Sequence, residues 1–123
     1  LALIGNIDPA FSLPPTVRLH GSYRPADIPH LAERYGVGAW LVPSIWPETF
    51  SFATHEMLAT GLPVYGFDIG AQGEALRRAP NGIPIPFDPD GDHAAAVLTM
   101  IASRGPWSVT QDISIPRLDK AAE

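Results

Sequence analysis

Prolines and glycines restrict this chain more than any other feature. Its 123 residues include 14 Pro and 11 Gly, which stand between apolar runs and form no low-complexity tract. Each Pro withholds a backbone donor and each Gly loosens an element interior, so only short elements fit between them. Residues 1–4 are an apolar run stopped by Gly5, the pattern of a strand buried on both faces. Residues 17–20 alternate apolar and polar up to Gly21 and predict a second strand. Residues 26–35 follow Pro25 and set Ile28, Leu31, Ala32 and Tyr35 at helical spacing before Gly36. Residues 39–42 are another apolar strand, closed by Pro43 and Ser44.

The clearest predicted helix covers residues 50–59. Phe50, Ala53 and Met57 fall on one stripe, and Gly61 then Pro63 end it. Residues 64–67 predict a strand, followed by a Gly-rich turn at 68–73 and a short helix at 74–78. The strand expected at 83–87 contains Pro84 and Pro86, which places it at a sheet edge. A last helix over 92–103 is capped by Asp90 or Asp92 and shows Ala95, Leu98, Thr99 and Ala102 along one face. Strands alternating with helices predict an α/β chain with a parallel sheet. No internal repeat is present, and residues 105–123 read as a tail without a period. The opening run reads as the end of a buried strand with nothing before it, so a fragment of a longer chain is expected.

Charge narrows the function. The formal net charge is −5, Lys120 is the only lysine, and the seven arginines are scattered. That balance argues against a nucleic-acid or anionic-membrane surface. The absence of cysteine excludes disulfides, thiolate metal sites and cysteine nucleophiles. His20, His30, His55 and His93 lack ligand spacing, so no metal site is expected. No apolar run approaches the ~18 residues that span a bilayer, and the chain is expected in the cytoplasm.

In open parallel sheets, ligands bind beyond the carboxyl ends of the strands. Those loops are residues 21–24, 43–49 and 68–73. The middle one runs into the predicted helix at 50–59, whose first amides, at about Phe50 to Ala53, would form an anion seat. The alternative is that Thr49 or Ser51 simply caps that helix. Glu48 lies just before the helix, and Glu56 lies two turns in, roughly 9–12 Å along the axis. Carboxylates accept paired hydroxyl hydrogen bonds, which suits a sugar and a ribose. Two glutamates eight apart among five Glu are weak by themselves, and two solvated glutamates are the plain alternative.

The run Pro43-Ser44-Ile45-Trp46-Pro47-Glu48-Thr49-Phe50-Ser51 continues as Phe52-Ala53-Thr54-His55-Glu56-Met57-Leu58-Ala59-Thr60-Gly61-Leu62-Pro63-Val64. Together they resemble the donor-site pattern of the retaining family 4 (group 1) glycosyltransferases: Pro-Ser, a short loop, Glu-x-Phe-Gly, three residues, Glu-Ala, then Ala-x-Gly-x-Pro-Val. Asp68-Ile69-Gly70-Ala71-Gln72-Gly73-Glu74 is similar to that family's Asp-x-Gly-Gly-x-x-Glu. The Trp-Pro-Glu-Thr-Phe-Ser variant resembles a bacterial subgroup that builds surface polysaccharides. The likeness covers residues 1–104 and is densest from Pro43 to Glu74.

This resemblance implies a Rossmann-like parallel sheet, the C-terminal half of a two-domain GT-B fold, lacking its first strand. Five strands would then not form one continuous sheet, and the gap would be filled by another chain or by self-association. It implies a nucleotide-sugar donor as ligand, no metal, and an acceptor domain elsewhere in the parent chain, at the inner face of the membrane. Glu48 would contact sugar hydroxyls and act in catalysis, and Glu56 would hold the ribose diol. Thr49, Phe50 and Ser51 would hold the distal phosphate through their amides, beside Ser44, and Tyr23 would line the base. Ser51 stands where the family has glycine, and Met57 where it has alanine. The Arg and Lys that neutralise the diphosphate in the family would lie before Leu1.

Two other classes stay open. Gly66, Gly70 and Gly73 with Asp88 and Asp90 loosely suggest a dinucleotide-dependent oxidoreductase, though the spacing misses its glycine motif. A non-catalytic nucleotide-binding or protein-interaction module fits a chain carrying half a site. Trp40, Trp46 and Phe52 are expected in the core or a pocket wall, Arg24 in solvent, His20 near the site, and Arg77 and Arg78 at a helix C-terminus.

Overall fold

The computed structural model describes residues 1–104. Among these residues the fold is α/β, with small parallel sheets and four α-helices. It divides into two compact units, Leu1–Val37 and Gly38–Glu123. The predicted tail at 105–123 lies outside the described residues.

In the first unit, strand β1 (Ala2–Ile4) pairs in parallel with β2 (Arg18–Gly21), Leu3 opposite Leu19. The three residues of β1 are half-buried, not closed off on both faces as predicted, because among the described residues its sheet has two strands. A 3-10 turn, Pro25–Asp27, leads into helix α1 (Ile28–Arg34). The α-helix begins at Ile28, two residues later than expected. Pro29 has no N–H and is tolerated only in a first turn. Ile28 and Leu31 are buried and Ala32 and Tyr35 half-buried, the predicted stripe. His20 Nδ1 lies 2.7 Å from the Tyr35 hydroxyl, tying β2 to the end of α1.

The second unit runs β3 (Trp40–Val42), α2 (Phe52–Leu58), β4 (Val64–Phe67), α3 (Gly70–Arg78), β5 (Gly82–Ile85), α4 (His93–Ser103). Its sheet has the order β3-β4-β5, all parallel, with Trp40 opposite Val64 and Gly66 opposite Pro84. The central β4 is buried along its whole length, as an apolar strand between two layers must be. Val42, Met57, Leu62, Leu76, Ile83 and Ile85 close around it. Among the described residues β5 is an edge strand, as Pro84 and Pro86 predict. The Ile85 carbonyl accepts from the Asp68 amide on the β4 side, so Pro84, one residue back, turns its missing donor outward. Thr60, just past α2, joins several elements. Its hydroxyl donates to the Met57 carbonyl and accepts from Trp40 Nε1 and the Leu62 amide.

The helices of the second unit also depart from the reading above. α2 starts at Phe52, not residue 50, and its buried positions are Thr54 and Met57, with Phe50 exposed. α3 absorbs most of the predicted Gly-rich turn, because Gly73 is needed where the helix passes Asp68. A Cβ there would fall 2.8 Å from the Asp68 carbonyl carbon. α4 packs through Ala96, Val97 and Met100 against Tyr65, Phe67, Ile83 and Ile85, while Leu98 of the predicted face is 68% exposed. The Asp92 carboxylate caps α4 by accepting from the Ala95 amide, and Asp88 accepts from the Asp90 amide in the preceding turn. Among the described residues no helix is long and apolar enough to cross a membrane.

Candidate functional site

Two loops leave the carboxyl ends of β3 and β4 and are bonded to each other. The loop at 43–49 carries Ser44 and Glu48, and β4 runs through Asp68 and Ile69 into α3. The Ala71 amide donates to the Glu48 carbonyl at 3.0 Å. Gln72 Nε2 donates to the Phe67 carbonyl at 2.9 Å and reaches the Ser44 carbonyl at 3.4 Å. Gly70, at φ +54°, sits so close to the loop that a Cβ would lie 2.9 Å from the Glu48 nitrogen and the Pro47 Cα. Backbone conformation and space both call for glycine there.

Within the loop, the Ser44 hydroxyl contacts Glu48 Oε1 at 3.5 Å and accepts from the Trp46 amide at 3.4 Å. Glu48, Thr49 and Phe50 are exposed. Ser51 is buried at the cap position of α2, yet its hydroxyl bonds to the Thr54 hydroxyl at 2.7 Å and to no helix amide. The capping alternative therefore holds for Ser51's position and not for its side chain. Because α2 begins at Phe52, the Thr49 and Phe50 amides precede the helix, which corrects the expected amide seat. Glu56 is half-buried in the second turn of α2.

The aromatic expectations hold for Trp40, which is buried, and fail for Trp46 and Phe52, which are 73% and 72% exposed. Phe50 stacks on His55 at 4.9 Å between ring centres and meets Phe52 edge-on at 4.6 Å. Tyr23 follows β2 and is a half-buried residue of the first unit, as is His20. Ser44, Glu48, Thr49, Phe50, Ser51 and Glu56 thus lie on one loop and the helix after it, with Ser44 and Glu48 in contact.

The electrostatics are one-sided. No Lys or Arg occurs anywhere from residue 35 to residue 76. The next arginines are paired: Arg77 with Asp68, and Arg78 with Glu74 at 2.7 Å. Arg24 is likewise engaged, at 3.3 Å from Asp27. The Arg24 backbone amide, and then its side chain, hold the Asp27 carboxyl below its ordinary value of 3.8. Among the described residues no three His, Asp or Glu side chains are grouped to hold a metal ion. The loop presents carboxylate, hydroxyl and backbone groups, a set that suits hydroxyl-rich ligands better than bare anions.

Sequence reasoning missed Gln72, which is 2% exposed. The available signal was a polar residue four before the fully buried Leu76, on the core-facing side of α3. Compared with protein-family models, curated proteins and solved structures, the chain matches none.

Proposed function

We propose that this chain is the Rossmann-like donor-binding domain of a retaining glycosyltransferase, working in the cytoplasm at the inner face of a membrane. The observation that carries the reading is the bond between the Ala71 amide and the Glu48 carbonyl. It joins the two separate stretches of sequence that resemble the family's donor-site pattern, at the strand ends where α/β sheets take ligands.

On this reading Glu48 accepts hydrogen bonds from sugar hydroxyls and Glu56 from the ribose diol. Ser44 and the backbone at Ser51, where α2 begins, face the distal phosphate. Catalysis is electrostatic: donors fixed in advance stabilise the diphosphate as it leaves with the glycosidic electron pair. The cations that balance it come from outside residues 35–76. A binding module without turnover is the second reading, favoured by that same lack of Lys and Arg. An oxidoreductase is less favoured, because Gly70 and Gly73 approach Glu48 and Asp68 rather than leaving room for a pyrophosphate.

The test is calorimetric titration of the chain with UDP, GDP and ADP and their glucose conjugates. Glu56→Ala is expected to weaken nucleotide affinity, and Glu48→Ala to remove only the increment contributed by the sugar. Equal affinities for nucleotide and nucleotide-sugar in the wild type and both variants would falsify the assignment. Donor hydrolysis by the chain separates an enzyme from a binding module.

A further inference from the structure

We infer that Gln72 is a positioning residue for Glu48, an inference that rests on the sugar-binding role proposed for that carboxylate. Its amide stands between the ends of two strands. Nε2 spans from the Phe67 carbonyl, at the end of β4, to the Ser44 carbonyl, just past β3. Gly66 makes the space, since a Cβ there would lie 3.3 Å from Gln72 Nε2 and 2.9 Å from Leu76 Cδ1. The adjacent Ala71 amide grips the Glu48 carbonyl. Successive residues of α3 thereby hold both ends of the segment that presents Glu48.

A role in stability alone does not account for this residue. Among the described residues Gln72 Oε1 is buried without a hydrogen-bond partner, an unfavourable arrangement for an acceptor. Flipping the amide gives no relief, because both groups facing Nε2 are carbonyls and accept only. The Phe67 carbonyl already receives the Ile69 amide at 2.9 Å, so it does not depend on Gln72. The Ser44 carbonyl accepts from Gln72 at the loop side, and Ser44 in turn contacts Glu48 through its hydroxyl. An apolar side chain of equal length would remove the orphaned acceptor and pack as well, while releasing the loop. Gln72 holds the loop at the expense of an unmet polar atom, as residues at functional sites often do.

The experiment compares the full chain with Gln72→Met, and with Gln72→Asn, whose amide falls one methylene short of the two carbonyls. Three readouts are taken: the urea midpoint, backbone amide resonances, and affinity for each nucleotide with and without its sugar. Expected are a midpoint for Gln72→Met equal to or above wild type, and resonances of Ser44, Trp46 and Glu48 that shift or broaden while those of β4 stay. Protection of the Ala71 amide from exchange should fall about tenfold, the equivalent of one hydrogen bond. The affinity gained from the sugar should disappear with nucleotide affinity unchanged. A midpoint that falls in Gln72→Met, or loop resonances that stay fixed in both variants, overturns the inference. If the wild type binds no nucleotide, the proposed function fails, and the loop resonances still decide the role of Gln72.

Discussion

Replacing Thr60 with Val tests the packing between α2 and the sheet. Val nearly matches Thr in shape, so the substitution opens little space and removes mainly hydrogen bonds. In the native chain the Thr60 hydroxyl accepts from Trp40 Nε1 at 2.9 Å and from the Leu62 amide at 3.2 Å. Both donors are buried, and the substitution strands them. A stranded buried donor costs about 1–3 kcal/mol, so the pair amounts to about 2–6 kcal/mol. Thr60 retains 8% exposure, enough for partial relief by water, which puts the expectation at about 2–4 kcal/mol. Urea denaturation followed by tryptophan fluorescence measures it, with a lowered midpoint and an unchanged slope. Trp40→Phe supplies the internal control by removing one of the stranded donors. It should cost less in the Thr60→Val background than in the wild type, by about 1–2 kcal/mol. Strictly additive losses, or a Thr60→Val penalty under about 1 kcal/mol, would show that this hydroxyl does not join α2 to β3.

Two further expectations follow from packing and charge. Val97→Ala should destabilise the chain by about 1 kcal/mol, whereas Leu98→Gln should stay within about 0.5 kcal/mol; the reverse ranking in thermal unfolding would restore the other face of α4. Asp27 should titrate by carbon NMR below 3.8, because folding favours its ionised form. Its stabilising contribution is complete above the unfolded value and is lost as pH falls through the lower folded one. Part of the lowering should survive Arg24→Ala, since the backbone bond is the largest single cause, and a midpoint at or above 3.8 in the native chain would contradict it.

Local signals were enough wherever one residue type decides the backbone. Gly61 has φ +78° and ends α2, as the sequence predicts, and the stripe from Ile28 to Tyr35 is the buried face of α1. The face of α4 was not legible, because Ala, Val, Leu, Met and Ile surround that helix on all sides. The deciding contact comes from a histidine: His93 stacks on Phe87 and meets Phe67 edge-on, which turns Val97 and Met100 inward. In α2, Ser51 and Thr54 are buried in place of Phe50 and Phe52, since the two hydroxyls satisfy each other. At the candidate site, Ser44, Glu48 and Glu56 were visible in the sequence because they share one segment. Gln72 was not, because its function depends on carbonyls 5 and 28 residues away in the chain.

Pro84 has a consequence for assembly. The outer border of β5 lacks a donor where a neighbouring strand would need one, whereas β3, which pairs only with β4 among the described residues, is built from Trp, Leu and Val. Among the described residues this sheet can therefore grow in one direction, and two copies joined border to border through β3 would leave terminated rims facing outward. Such an association would stop at a closed pair and could not propagate into a filament.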